Sequence, residues 1–312
     1  MLASQIEQNA GHLLSMKDLD TEAITQLLNR AEAFKAGTQV VLSEPVYAVN
    51  LFFENSTRTH TSFEMAERKL GFTILPFDPS TSSVTKGETL HDTLLTLDAI
   101  GAQIAVIRHK QNRYFDELLA GSDLDLGIVN AGDGSGEHPS QSLLDLMTIR
   151  EEFAQFVGLR VLICGDIRHS RVARSNAEAL GKLGATVLFA GPREWFDESL
   201  ATLGTYGDWA DLLPTADVVM MLRVQHERGA GANGFDATVY HETYGLTVAR
   251  AQTMKKTAII MHPGPVNRGV ELASALVQAP QSHFVKQMQN GVFVRMAMLE
   301  RICRERHLGG LS

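Results

Sequence analysis

The hydrophobic residues of this chain fall into short continuous runs separated by stretches with a helical period. Residues 46–53, 73–77, 103–108, 127–131, 160–165, 185–190, 216–222 and 257–261 have strand length and are apolar almost throughout rather than alternating. That is the pattern of parallel strands covered on both faces. Between them, 57–70 carries Phe63, Ala66 and Leu70 on one helical face, with Gly71 behind it as a stop signal. Residues 87–100 carry Leu90, Leu94 and Leu97 on another face, opened by Gly87-Glu88. Strand, helix, strand, repeated, winds into an open parallel sheet with right-handed crossovers. A helical stretch from Pro139 to about Phe156 separates two sets of four strands, and a last helix from about Gln287 to Arg306 presents Val292, Met296, Leu299 and Cys303 at helical spacing. The pattern predicts an α/β protein of two similar doubly wound parallel-sheet domains joined by helices. The first would be residues 1–140 together with the C-terminal helix at about 287–312, the second residues 151–286.

Composition narrows the picture. A chain of 312 residues, 44% hydrophobic, has room for a sizeable core. Its net charge of −8 offers no long-range attraction to nucleic acid or to an anionic membrane surface, so any bound anion must be held by locally placed positive groups. Cys164 and Cys303 lie far apart, without a second Cys or paired His at metal spacing; neither a disulfide framework nor a zinc cluster is indicated, and a reducing cytoplasm is the expected location. The first twenty residues lack a basic segment followed by an apolar one, and nowhere do about 18 apolar residues run together, so neither secretion nor membrane insertion is expected.

In sheets of this kind ligands bind beyond the carboxyl ends of the strands. The residues just past the strands are Glu54-Asn55-Ser56-Thr57-Arg58-Thr59, Arg108-His109, His138-Pro139-Ser140-Gln141, Asp166 through Arg171, Arg223-Val224-Gln225 and His262-Pro263-Gly264-Pro265. Four of these six clusters contain arginine, and like charges converging on one edge need an anionic ligand to offset their repulsion. In the first cluster, Ser56 or Asn55 can cap a helix whose opening N–H groups, with the Thr57 and Thr59 hydroxyls, would surround a phosphate beneath Arg58. The plainer alternative is an ordinary N-cap beside a solvated arginine. His138-Pro139 reads as a helix entry, with Gln141 one turn on, so that both side chains can face one carbonyl oxygen; a purely structural histidine is the alternative. Lys86 follows the small polar run Ser80–Thr85 and by itself reads as a mobile surface lysine. Gly229–Gly234 matches GxGxxG but stands too far from its strand and precedes no helical pattern, so it is read as a flexible loop rather than a nucleotide site. With no GxxxxGK[ST], HExxH or nucleophile elbow, no metal, cofactor or covalent nucleophile is expected.

The stretch Phe52-Phe53-Glu54-Asn55-Ser56-Thr57-Arg58-Thr59 resembles the carbamoyl-phosphate motif of transcarbamoylases, and His138-Pro139-Ser140-Gln141 followed by Leu144-Asp145 resembles their second signature. Matches run in family order from about residue 50 to 270, so the resemblance covers essentially the whole chain. Within the aspartate/ornithine transcarbamoylase family, Arg223-Val224-Gln225 with Glu227-Arg228, and His262-Pro263-Gly264-Pro265 with Asn267-Arg268-Gly269-Val270-Glu271, are similar to the aspartate enzymes. The Cys-Leu-Pro and Asp-x-x-x-Ser-Met-Gly signatures of the ornithine enzymes are absent.

The resemblance implies transfer of the carbamoyl group of carbamoyl phosphate to the amine of L-aspartate, the committed step of pyrimidine biosynthesis, without a cofactor. It implies that Ser56, Thr57, Arg58, Thr59, Ser82, Arg108, His138 and Gln141 bind carbamoyl phosphate, with backbone from Gly264 and Pro265, and that Lys86, Arg171, Arg223 and Gln225 bind aspartate. Arg58, Thr59, Lys86, Arg108 and His138 would serve the transfer itself. It further implies a homotrimer in which the loop with Ser82 and Lys86 reaches a neighbouring subunit's site; association with a regulatory chain or a dihydroorotase is left open. A different acceptor such as ornithine, and a catalytically silent regulatory homologue, are the alternatives. Two positions depart from the family pattern: His60 stands where a second arginine is usual, and Asn55 where proline or alanine is common.

Overall fold

The computed structural model describes residues 10–120, 124–224 and 236–312. The loop Gly229–Gly234, with Gln225, Glu227 and Arg228, lies outside the described residues. The chain divides into two compact units: one is the chain up to Leu143 together with Asn290–Ser312, the other Leu144–Gln289.

In the first unit, strands β1 (Tyr47–Phe52), β2 (Thr73–Leu75), β3 (Ile104–His109) and β4 (Gly127–Asp133) form a parallel sheet in the order β2-β1-β3-β4. Helix α1 (Thr21–Lys35) precedes it, and α2 (Thr57–Leu70), α3 (Leu90–Ala99) and α4 (Tyr114–Leu119) connect its strands. Residues 48–51 of β1 and all seven residues of β4 are buried, as expected of strands covered on both faces. Leu14, Leu51, Leu94, Ile107, Phe115 and Ile128 are members of one core cluster.

In the second unit, β5 (Arg160–Cys164), β6 (Thr186–Ala190), β7 (Thr205–Tyr206), β8 (Val218–Met221) and β9 (Ile259–Met261) form a second parallel sheet, ordered β7-β6-β5-β8-β9. Helix α5 (Pro139–Phe153) runs across the division of the chain into units, and α6 (Arg171–Lys182) follows β5. The C-terminal helix, α7, Phe284–Glu305, also runs across that division. Leu162, Cys164, Leu188, Val219, Met221 and Ile260 belong to the core on one side of this sheet.

Two expectations are corrected. The second sheet holds a fifth strand, β7, because two residues at a sheet edge carry too little apolar pattern to register. Helix α3 begins at Leu90, not at Gly87-Glu88: Gly87, at φ 94°, ends the preceding 3-10 turn, and Thr89 caps α3 by accepting from the Asp92 N–H at 3.1 Å.

Each sheet reverses its winding once. In the first, the chain leaves β1 for β2 on one side and crosses to β3 on the other; in the second, it runs β5, β6, β7 outward and returns to β8 beside β5. The crevices beyond the carboxyl ends of β1 and β3, and of β5 and β8, are therefore the places where such folds bind ligands.

Candidate functional site

At the carboxyl end of β1, Ser56 occupies the N-cap position of α2 at φ −158° and ψ 88°, but its side chain makes no capping hydrogen bond. Of the two residues expected to cap this helix, Ser56 or Asn55, Ser56 holds the position, though not through its side chain. The first N–H groups of a helix have no partner within it, and this first turn contains no acidic residue, so its positive end is open to an anion. Thr57 and Arg58 are exposed there, whereas Thr59 is buried. Arg108, near the end of neighbouring β3, lies 3.4 Å from the Glu54 carboxylate and reaches the Ala131 carbonyl on β4 at 3.5 Å. The structure thus brings Ser56–Thr59 and Arg108 to one reversal point. His60 does not take the place of an arginine: its ring stands edge-on to Phe52, centroids 4.8 Å apart, and 3.9 Å from Glu64.

The turn after β4 is held by carboxylates. Asp133 accepts from the backbone N–H of Glu137 (2.8 Å) and of Arg113 (2.7 Å) and from Asn130 Nδ2 (3.0 Å). Glu137 accepts from the Ser15 hydroxyl at 2.7 Å and from the Met16 N–H at 2.9 Å, and burial pushes its carboxyl above the usual range. This bracing delivers His138 and Gln141 to the start of α5, both buried, with the Gln141 N–H donating to the His138 carbonyl at 3.0 Å. Behind them lies Arg295 of α7, which sequence reasoning missed. It donates through Nη2 to Ser140 Oγ at 3.2 Å and through Nη1 to Ser62 Oγ at 2.9 Å, and Ser140 Oγ stands 3.4 Å from His138 Nδ1. A sequence signal exists: Arg295 lies three residues after Val292 and four before Leu299, so a charge sits on the apolar face of that helix.

Ser82 and Lys86 lie in a run of 3-10 turns, Pro79–Thr81 and Ser83–Lys86. The Ser82 hydroxyl donates to the Pro79 carbonyl at 3.0 Å, and Lys86 is exposed at the end of the run.

In the second unit, Gly165 follows β5 at φ 125°, and a Cβ on it would come within 3.2 Å of the Leu222 carbonyl, so only glycine allows this approach of β5's end to β8's. Asp166 then holds His169 at 2.7 Å, and Ser170 caps α6 by accepting from the Ala173 N–H at 3.2 Å. These contacts set Arg171, half-buried, as the first residue of α6. Arg223, also half-buried, follows β8, and its neighbour Val224 accepts at its carbonyl from Asn267 Nδ2 at 3.0 Å. That bond ties the end of β8 to the turn after β9. There the Gly264 N–H donates to His262 Nδ1 at 2.8 Å, so Nδ1 is an acceptor and Nε2 donates to Glu271 Oε1 at 3.1 Å. His262 and Glu271 are buried and fix the backbone leading into Gly264 and Pro265. Two of the four arginines therefore stand at each sheet. Gln225 lies outside the described residues.

A separate cavity of about 570 Å³ in the second unit, lined by Arg193, Tyr206, Trp209, Tyr244 and Arg250 among others, contains none of these residues. Among the described residues there is no group of three or more His, Cys, Asp and Glu placed to hold a metal ion. No helix among them is long and apolar enough to cross a membrane.

Two sheets with anion-ready crevices at their reversal points define an α/β enzyme architecture for small anionic substrates. Residues 11–151 match the carbamoyl-phosphate-binding domain of aspartate/ornithine carbamoyltransferases, and residues 157–302 match their aspartate/ornithine-binding domain. The chain belongs to the aspartate/ornithine carbamoyltransferase family. It is 58% identical over 295 residues to the aspartate carbamoyltransferase catalytic subunit of Limosilactobacillus reuteri, covering 94% of this chain and 96% of that protein. It is 55% identical over 297 residues to the catalytic subunit of that name from Listeria monocytogenes serotype 4b, covering 95% and 97%. Among solved structures, aspartate transcarbamoylase from Trypanosoma cruzi in complex with N-(phosphonacetyl)-L-aspartic acid superposes with a TM-score of 0.81 at 29% identity, covering 94% of this chain and 96% of that one. The same enzyme in complex with carbamoyl phosphate gives the same TM-score, identity and coverage.

Proposed function

We propose that this chain is an aspartate carbamoyltransferase that joins the carbamoyl group of carbamoyl phosphate to the amine of L-aspartate, releasing phosphate. The observation that carries the reading is the open N-terminus of α2, bearing Ser56, Thr57, Arg58 and Thr59 beside Arg108 at the reversal of a parallel sheet. A helix end without acidic residues, next to two guanidinium groups, fits a phosphate dianion.

Carbamoyl phosphate binds here, with Thr59, Arg108 and His138 donating to its carbonyl oxygen, Gln141 beside them, and Ser82 and the Gly264-Pro265 backbone completing its ligand set. As the amine attacks, the C–N bond forms, negative charge develops on that oxygen, and the bond to the phosphate oxygen breaks. Donors aimed at such an oxyanion are worth about 10²–10³ in rate each. The amine proton leaves on the departing phosphate, so no side chain is required as base. Arg171, Arg223 and Gln225 bind the carboxylates of aspartate with help from Lys86. Acceptor choice follows from charge: a cationic acceptor would need carboxylates where Arg223 and Arg228 stand.

The active unit is a homotrimer in the cytoplasm, with the segment holding Ser82 and Lys86 serving a neighbouring subunit's site. Exposed apolar side chains in the first unit, Met65, Leu95 and Ile100, are consistent with a buried contact between copies. The product places the enzyme in pyrimidine biosynthesis.

The test is phosphate release from carbamoyl phosphate with aspartate and with ornithine in parallel. Turnover is expected with aspartate only. Arg58→Ala should lower it at least about 10²-fold, because a charge-assisted contact is worth about 1.5–3 kcal/mol and this one also positions the leaving group. Preference for ornithine, or full activity in Arg58→Ala, would overturn the reading.

A further inference from the structure

We infer that Arg295 is a positioning residue which, through the Ser140 hydroxyl, fixes the tautomer of His138 so that its Nε2 carries the proton. The inference deepens the proposed function and rests on it for the role of His138 as a donor to the substrate carbonyl. A guanidinium can only donate, so in the 3.2 Å contact from Arg295 Nη2 the Ser140 oxygen is the acceptor, leaving the hydroxyl proton for another partner. His138 Nδ1 lies 3.4 Å from that oxygen. The oxygen keeps a second lone pair that an Nδ1–H could also reach; with the hydroxyl proton directed at Nδ1 instead, that nitrogen bears the lone pair and the ring proton sits on Nε2, and ring-nitrogen spectra tell the two apart. The imidazole then meets a substrate oxygen as an N–H donor; the opposite tautomer would present a lone pair to developing negative charge.

The relay is rigid. Arg295, Ser140 and His138 are 3%, 0% and 4% exposed. The guanidinium is pinned a second time by its 2.9 Å bond to Ser62 Oγ and lies over the Phe63 ring, 4.9 Å from its centroid. Ser62 and Phe63 belong to α2, whose first turn is the phosphate motif, so one buried cation links the helix that receives the phosphate to the residue that polarises the carbonyl. Burying a charge is costly without such partners, and an apolar residue would fill the position on α7 more cheaply if packing were its only task.

Ring-nitrogen NMR of histidine-labelled protein, with the His138 signals assigned by their loss in His138→Ala, tests this directly. Expected are a bare Nδ1 and a protonated Nε2 in the wild type, and a mixture of tautomers in Ser140→Ala. In the same variant kcat should fall about tenfold or more, bounded by the ~10²–10³ of one lost donor, with the KM for aspartate little changed and with recovery in Ser140→Thr, which keeps a hydroxyl. Arg295→Met should reproduce Ser140→Ala; if it fails to fold, Ser140→Ala carries the test. A wild-type ring protonated on Nδ1, or Ser140→Ala with wild-type tautomer and kcat, would overturn the inference. The spectrum needs no turnover, so a wild type inactive with aspartate would refute the proposed reaction while the tautomer is still read.

Discussion

Glu67 is a residue whose chemistry departs from what its type suggests. It is fully buried on α2, where Asn50 Nδ2 donates to its Oε2 at 2.8 Å, while its Oε1 and the Asn50 Oδ1 have no hydrogen-bond partner among the described residues. Burial pushes its carboxyl up from 4.5 to about 7. A raised folded value means that the proton is held more tightly in the folded chain. Stability is therefore full below 4.5 and declines as pH rises through 7, by about 3 kcal/mol in all at about 1.36 kcal/mol per unit. Glu67→Gln keeps the acceptor for Asn50 and removes the ionisation. Its Tm should match the wild type near pH 4.5 and exceed it at about pH 8, with the gap opening between; equal Tm values at the higher pH would show that Glu67 ionises freely in the fold. The sequence marked this residue only as it marked Arg295, by a charge on the apolar face of its helix, four residues after Phe63 and three before Leu70; its partner Asn50 becomes visible only once the neighbouring strand is known. The place of Arg58, by contrast, was legible: the contiguous Ser56-Thr57-Arg58-Thr59 marks a helix start, and Arg58 stands in the first turn of α2.

At the scale of elements, legibility follows continuity of pattern. The strands buried on both faces were visible as unbroken apolar runs such as Val161–Cys164, whereas β7, two residues at a sheet edge, was not. The turn from β4 into α5 was readable only as His138-Pro139; what holds it is nonlocal, the Asp133 carboxylate serving Arg113 twenty residues earlier as well as Asn130 and Glu137. Asp133 is 1% exposed, and Asp133→Ala strands the buried Glu137 N–H, while Asn130 Nδ2 keeps its bond to the Leu14 carbonyl and the N–H of exposed Arg113 can turn to water. At about 1–3 kcal/mol for an unsatisfied buried group, the variant should lose about 1–3 kcal/mol. It should also bind carbamoyl phosphate more weakly, since His138 and Gln141 stand on that turn. Denaturant unfolding and phosphate-release kinetics measure the two effects; a variant with wild-type stability would show that the turn holds itself.

At the scale of the whole molecule, the order of strands explains why polar clusters scattered over two hundred residues of sequence collect at two places, one at each sheet's reversal of winding. Lys86 is the member that a single chain accounts for least. It is exposed at the end of a turn whose Ser82 hydroxyl is already used locally, which suits a side chain working on another copy. Lys86→Ala removes the loop lysine and leaves the rest of the chain's site intact; His138→Ala does the reverse. In the proposed trimer, if Lys86 served its own chain, an assembly mixed from the two variants would contain no complete site. If it serves the neighbour, a complete site forms wherever a Lys86→Ala chain offers His138 to the Lys86 of a His138→Ala chain. With equal amounts and random exchange in a cyclic trimer this occurs at about one quarter of interfaces, so activity should recover to about a quarter of wild type from two nearly inactive parents. Subunit exchange verified by mass, without recovered activity, would place Lys86 in its own chain's site or outside the reaction altogether.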